Sequence, residues 1–223
     1  MLRIEGLHHT YPAAEQPVLR LSDWALAAGE QVLLRGVSGS GKTTLLNIIA
    51  GLLRPSQGAI YYEAQAIYAL GEAARDRLRA RMVGYVFQNH YLLPTLTALE
   101  NVAMPLAFGG VGTAMRKRRA LALLEQVGLG SIARQYPAKI STGQRLRVAI
   151  ARALANQPRL LLADEPTAAL DEQSGCVVMD VMQAECRAHG AVLIVASHDP
   201  ALETRFSTIV DLRGGTLSAY SRE

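Results

Sequence analysis

Three short stretches of this sequence gather residue types that handle phosphate. The first, GVSGSGKT (residues 36–43), has the spacing G-x-x-x-x-G-K-[ST], follows the apolar run QVLLR and opens the helix-forming run TTLLNII. The loop formed by Gly36, Val37, Ser38, Gly39, Ser40 and Gly41 reads as nucleotide-binding. Its glycines let backbone N–H groups converge on phosphate oxygens without a Cβ in the way, and the helix N-terminus adds positive potential. Lys42 is placed to neutralise β- and γ-phosphate charge, the Thr43 hydroxyl to ligate Mg²⁺, and Thr44 to add a further hydrogen bond.

The second stretch, LLLADE (residues 160–165), is a buried-type strand ending in two acids. Asp164 is suited to the Mg²⁺ shell, and Glu165 to orienting or deprotonating an attacking water. An acid beside the metal-binding acid favours hydrolysis over transfer to a second substrate. The third, ISTGQRLRVAIARAL (residues 140–154), places a Ser, a Gly and a Gln at the head of an amphipathic helix. That is a second helix start able to hold an anion.

The elements needed to carry these residues follow from the apolar pattern. Residues 2–35 read as short strands: LRIEGLHHTY, PVLRLSDWAL and, after a turn at AAGE, QVLLRG. TTLLNIIAGLL has helical spacing up to Arg54 and Pro55, PSQG is a turn and AIYY a strand. VGYVFQ is a buried strand; TALENVAMPLAF, AMRKRRALALLEQVGL and GQRLRVAIARALANQ are helices. RLLLADEP returns to a buried strand, EQSGCVVMDVMQAECRAHG is a helix, AVLIVASHD a buried strand, and STIVDLRGGTLSAY a closing hairpin. Buried strands alternating with helices give an α/β fold around a mostly parallel sheet, interrupted by a helical insertion.

Composition narrows the function classes. A chain of 223 residues with 50% hydrophobic content buries a full core, yet no apolar run reaches the roughly 18 residues needed to cross a bilayer. The start, MLRIEGLHHTYP, lacks a basic and apolar secretory leader, so a cytosolic chain that meets membranes only through a partner is expected. The net charge of +4 centres on RKRR (residues 116–119), but few aromatics stand nearby to stack on bases, so no direct nucleic-acid binding is expected. Cys176 and Cys186 have no metal-ligand spacing, and a helix between them would hold them too far apart for a disulfide.

Taken together, these motifs resemble the ATP-binding-cassette (ABC) ATPases over essentially the whole chain. Tyr11 matches the family's adenine-stacking aromatic and residues 36–43 its Walker A loop. Gln88 matches the Q-loop glutamine, which also serves as a metal ligand and lies towards the transmembrane partner. Ser141, Gly143 and Gln144 match the signature, Asp164 and Glu165 the Walker B pair, Asp171 the D-loop acid, and His198 the switch histidine. Thr142 departs from the usual signature glycine.

The resemblance implies a P-loop NTPase (RecA-like) core with an N-terminal antiparallel β subdomain. Residues 1–90 and 157–223 would form that core, and residues 91–156 an inserted α-helical subdomain. It implies a catalytic set of Lys42, Gln88, Glu165 and His198, with ATP and Mg²⁺ as cofactors. Partners would be transmembrane permease subunits, and ATP would draw two copies into a head-to-tail homodimer. The location would be peripheral, on the cytoplasmic face of the inner membrane. Residues 83–106 and 144–171 look most like the lipoprotein-release and macrolide-export subgroup, with a partner's coupling helix docking near residues 88–105. Two alternatives stay open here: a soluble ABC ATPase acting on nucleic acid or ribosomes, and a weakly hydrolysing regulatory cassette.

Overall fold

The structure, a computed structural model, describes residues 1–219. The N-terminal part runs β1 (Leu2–His9), β2 (Leu19–Leu21), β3 (Trp24–Leu26), β4 (Gln31–Arg35), α1 (Lys42–Ile49), β5 (Gln57–Tyr62) and β6 (Gln65–Ala66). Then come α2 (Glu72–Met82), β7 (Val83–Val86), α3 (Ala98–Phe108), α4 (Thr113–Gln126), α5 (Thr142–Leu154) and β8 (Leu160–Asp164). The chain continues through α6 (Glu172–His189), β9 (Val192–Ser197), β10 (Thr208–Arg213) and β11 (Thr216–Ala219). The hairpin read to Tyr220 is formed by β10 and β11; Tyr220 itself lies outside the described residues.

Two sheets result. The first is antiparallel, in the order β2-β1-β5-β6, with β3 also on β1. Along β1 the inward set Leu2 and Ile4 is followed by Leu7 and His9, a change of parity that alternation alone forbids. Gly6, at φ +50°, absorbs it where the register to β5 shifts. The second sheet runs β11-β10-β4-β9-β8-β7, parallel except for β11. Both of its faces are covered, which is why its strands read as continuous apolar runs. Leu34, Leu162 and Ile194 face a core shared with α1 and the antiparallel sheet. Leu33, Leu161 and Val195 face the core built with α3 to α6.

Two elements differ from the sequence pattern. α1 ends at Ile49, short of Arg54 and Pro55, because Gly51 takes a left-handed φ of +75° just past it. α2 buries no side chain fully, so it has no apolar stripe to read. Half-buried Leu78 and Met82 pack on the core; further support is local, from Glu72 in the first turn, Arg79 and Arg81 in the last, and an Asp76–Arg79 ion pair at 2.9 Å.

The helices α3, α4 and α5 are inserted between β7 and β8, which pair directly. The turn entering α3 is fixed by Asn101, which is 0% exposed. Its Oδ1 accepts the Leu93 N–H at 2.8 Å, and its Nδ2 donates towards the carbonyls of Leu93, Leu96 and Thr97 at 3.0–3.1 Å. Asn101→Ala leaves these backbone groups without partners in the interior. Urea unfolding of this variant is expected to show a loss of about 2–4 kcal/mol.

Candidate functional site

The last residue of β4 delivers the chain into the glycine loop, and three glycines there meet a physical requirement. A Cβ on Gly36 would lie 2.6 Å from Ser40 Oγ and 2.7 Å from the Leu212 carbonyl. Gly39 (φ +78°) and Gly41 (φ +101°) hold left-handed backbone, and Gly41 is the N-cap of α1. The first N–H groups of α1 therefore point out of the loop with no acidic side chain in that turn to occupy them. Ser40 Oγ is buried with no hydrogen-bond partner among the described residues, as expected of a loop shaped around an anion.

Lys42 is only 7% exposed; its Nζ donates to the carbonyls of Gly36 (2.6 Å) and Val37 (3.2 Å), which leaves a third donor hydrogen uncommitted. Thr43 Oγ1 donates to Asp164 Oδ2 at 2.6 Å, joining the start of α1 to the end of β8. Burial raises the Asp164 pKa, an effect partly offset by the Thr43 hydrogen bond. Thr43, Asp164 and the nearby Gln88 offer oxygen atoms alone, the donor type that Mg²⁺ takes. Thr44 pairs its hydroxyl with that of Tyr11 at 3.1 Å, and the Tyr11 ring stands edge-on to His9 with one side open.

Glu165 follows Asp164 at φ +50°, a left-handed conformation uncommon outside glycine, Asn and Asp. It is held there by its N–H on the Ala196 carbonyl (2.8 Å), by the Ser197 hydroxyl on Oε2 (2.9 Å) and by His198 Nδ1 against Oε1 (2.7 Å). An ionised carboxylate accepts only, so Nδ1 carries the hydrogen in this pair. The His198 side chain is exposed at 70%, while that of Glu165 is at 10%. Thus β8 and β9, adjacent in the parallel sheet, aim an acid and an imidazole at the same point.

Tyr11, Val37, Ser38, Gly39, Ser40, Gly41, Lys42, Thr43, Thr44, Gln88, Asp164, Glu165 and His198 line one cleft of about 640 Å³, with Gly36 at the root of its loop. Ser141, Gly143, Gln144 and Asp171 do not line it. Ser141 caps α5 reciprocally with Gln144: the Gln144 N–H meets Ser141 Oγ (3.2 Å), and the Ser141 N–H meets Gln144 Oε1 (2.9 Å). A Cβ on Gly143 would be 3.0 Å from Leu170 Cδ2, so this turn packs on the segment just before Asp171. Asp171 caps α6 by accepting the Ser174 N–H, and that hydrogen bond lowers its pKa. Thr142 is exposed, with its hydroxyl accepting from Arg145 Nη2 at 2.8 Å along the flank of the helix.

Ser197 was not singled out by sequence. The signal available was a lone hydroxyl closing the apolar run AVLIVAS immediately before His198. Among the described residues no helix is long and apolar enough to cross a membrane, and no three His, Cys, Asp or Glu residues cluster as a metal site. Cys176 is exposed and Cys186 buried, both as free thiols.

Comparison with known proteins identifies the family. The ABC transporter family matches residues 19–168. The lipoprotein-releasing system ATP-binding protein LolD of Pseudomonas syringae pv. tomato is 42% identical over 97% of this chain and 96% of its own length. LolD 2 of Caulobacter vibrioides is 43% identical over the same shares. The ATP-binding cassette MJ0796, solved as a dimer in a post-hydrolysis state bound to ADP and Pi, superposes with a TM-score of 0.92 at 35% identity, covering 100% of both chains. With a phosphate loop, a paired acid site and a P-loop NTPase fold matched along the full length, this chain belongs to the ABC transporter family.

Proposed function

We propose that this chain hydrolyses ATP as one of two identical cassettes driving a lipoprotein-releasing permease from the cytoplasmic face of the inner membrane. The observation that carries this reading is the separation of the phosphate-handling groups. Lys42, Thr43, Asp164, Glu165 and His198 share one cleft, while the Ser141 helix start does not line it. A second copy turned head to tail brings that helix start over the terminal phosphate held by Lys42, and two-fold symmetry completes two sites at once. The relatives' names supply the lipoprotein-release assignment.

Within each site the Tyr11 ring supports the adenine, and the glycine loop holds the phosphates through backbone N–H groups. Lys42 turns its ammonium from the Gly36 and Val37 carbonyls towards the γ-phosphate. Thr43, Asp164 and Gln88 would hold the Mg²⁺, which when bound neutralises charge on the β- and γ-phosphates. Glu165, immobilised by Ser197 and His198, orients the attacking water and takes its proton. His198, anchored through Nδ1, presents its Nε2 edge to the γ-phosphate.

Residues 91–156 act as the helical subdomain that carries Ser141. Between it and the core lies an apolar groove of about 350 Å³, lined by Phe87, Tyr91, Met104, Pro105 and Phe108 among others. Tyr91 is 62% and Phe108 74% exposed, large apolar surface of the kind a docked helix covers. A coupling helix of the permease fits here. Reconstitution with transmembrane permease subunits from the same cell tests the reading: Mg²⁺-dependent phosphate release should rise on assembly. No phosphate release above background, alone or assembled, overturns it.

A further inference from the structure

Arg152 lies in the last turn of α5 and makes no ion pair among the described residues. Its guanidinium instead donates to two consecutive carbonyls, Nη1 to Tyr91 at 2.6 Å and Nη2 to His90 at 2.5 Å. These two residues are unusual in their own right. His90 (φ +60°) and Tyr91 (φ +45°) are the one adjacent pair of non-glycine residues with positive φ among those described. Side chains with a Cβ disfavour that conformation, so two in succession need an external hold.

The local hydrogen bonds are short-range turns, His90 N–H to the Phe87 carbonyl (3.0 Å) and Tyr91 N–H to that of Asn89 (2.6 Å). The contact that reaches outside the segment to both carbonyls is Arg152. Burial pulls the guanidinium pKa below its ordinary value, which marks the cost of holding this cation without an acid. The held segment starts two residues after Gln88 and carries the Tyr91 ring, set edge-on to Phe87 at 5.3 Å between centroids. At its other end the same α5 is capped by Ser141. One rigid helix of 13 residues therefore links the Ser141 turn to the backbone beside Gln88.

We propose that Arg152 is a positioning residue for Gln88: its two-carbonyl clamp fixes the left-handed turn at His90 and Tyr91, so that Gln88 and the groove wall move with α5 as one unit. This rests on the reading of Gln88 as a residue of the hydrolysis site. Displacement of α5, as when its Ser141 end closes on a second copy, is then passed to Gln88 and Tyr91 through two hydrogen bonds. Conversely, a helix pressing on Tyr91 acts on the Ser141 turn.

The test compares wild type, Arg152→Met, Arg152→Lys and His90→Gly, with the double variant Arg152→Met/His90→Gly. Methionine keeps the stem and removes the donors. Without nucleotide, amide hydrogen exchange across residues 87–93 is expected to be about tenfold faster in Arg152→Met and intermediate in Arg152→Lys. Its kcat is expected to fall about tenfold while KM for ATP changes less than about twofold. Glycine adopts the left-handed turn unaided, so the Arg152→Met penalty in kcat should shrink at least threefold (roughly) in the His90→Gly background. A residue serving stability alone would give penalties that simply multiply.

Unchanged exchange at 87–93, or strictly multiplicative penalties, overturns the proposal. If Arg152→Met does not fold, Arg152→Lys carries the same decision. The exchange measurement needs no turnover. A wild-type chain without ATPase activity would sink the proposed function and leave the clamp to be judged by exchange.

Discussion

Glu165→Gln is expected to lower ATP turnover by roughly a hundred- to ten-thousandfold, the range for removing a general base, and to leave ATP binding intact. Glutamine fills the same volume but presents one acceptor oxygen where Glu165 presents two, to donors on Ser197 and His198. It cannot take a proton from water. The substitution leaves Lys42, the glycine loop and the Thr43–Asp164 pair untouched, so ATP still seats and still bridges two copies. In MgATP, light scattering on a sizing column should therefore show the mass moving from 24.0 kDa to about twice that value. Wild type should shift less, because hydrolysis discharges the bridge. A variant that stays at one copy when saturated with MgATP at high concentration would remove the dimeric mechanism.

The second large effect distinguishes shared sites from self-contained ones. Lys42→Met removes the ammonium that meets the terminal phosphate. Ser141→Glu places a negative charge on the turn proposed to close over that phosphate in the other copy. Each variant alone should lose at least about a hundredfold in turnover, since every site in its homodimer is damaged. Mixed, half of randomly formed dimers carry one chain of each kind, and one of their two sites draws an intact Lys42 and an intact Ser141 turn. Phosphate release should recover to about a quarter of wild type. If each chain worked alone, mixing would restore nothing.

What could be read from sequence was chemistry that is local along the chain. The glycine loop is legible because positive φ at Gly39 and Gly41 and the crowding at Gly36 are demands only glycine meets within a few residues. Asp164 and Glu165 are legible because a fully buried strand ending in acids needs something to hold them. Ser197 and Arg152 are not legible, since their partners come from elsewhere in the fold: Glu165 from the end of the neighbouring strand, His90 and Tyr91 from the far side of the helical insertion. The Ser-x-x-Gln start of α5 reads as an anion site; the structure adds that each of these two side chains accepts the other residue's backbone N–H. α2 escaped because only Leu78 and Met82 on it meet the core, and neither is fully buried, so little apolar periodicity is left to find.

The strand order has a consequence for synthesis. β4, which launches the glycine loop, has β9 and β10 as its two neighbours, and both come from the C-terminal end of the chain. β7 likewise stays unpaired until Leu160 emerges to meet Val83, an interval of roughly 4–15 s at ordinary ribosomal rates. During translation the loop motif is complete in covalent terms long before it has walls. A nascent chain therefore has no competent pocket until its closing strands leave the exit tunnel, so nucleotide cannot template the early fold.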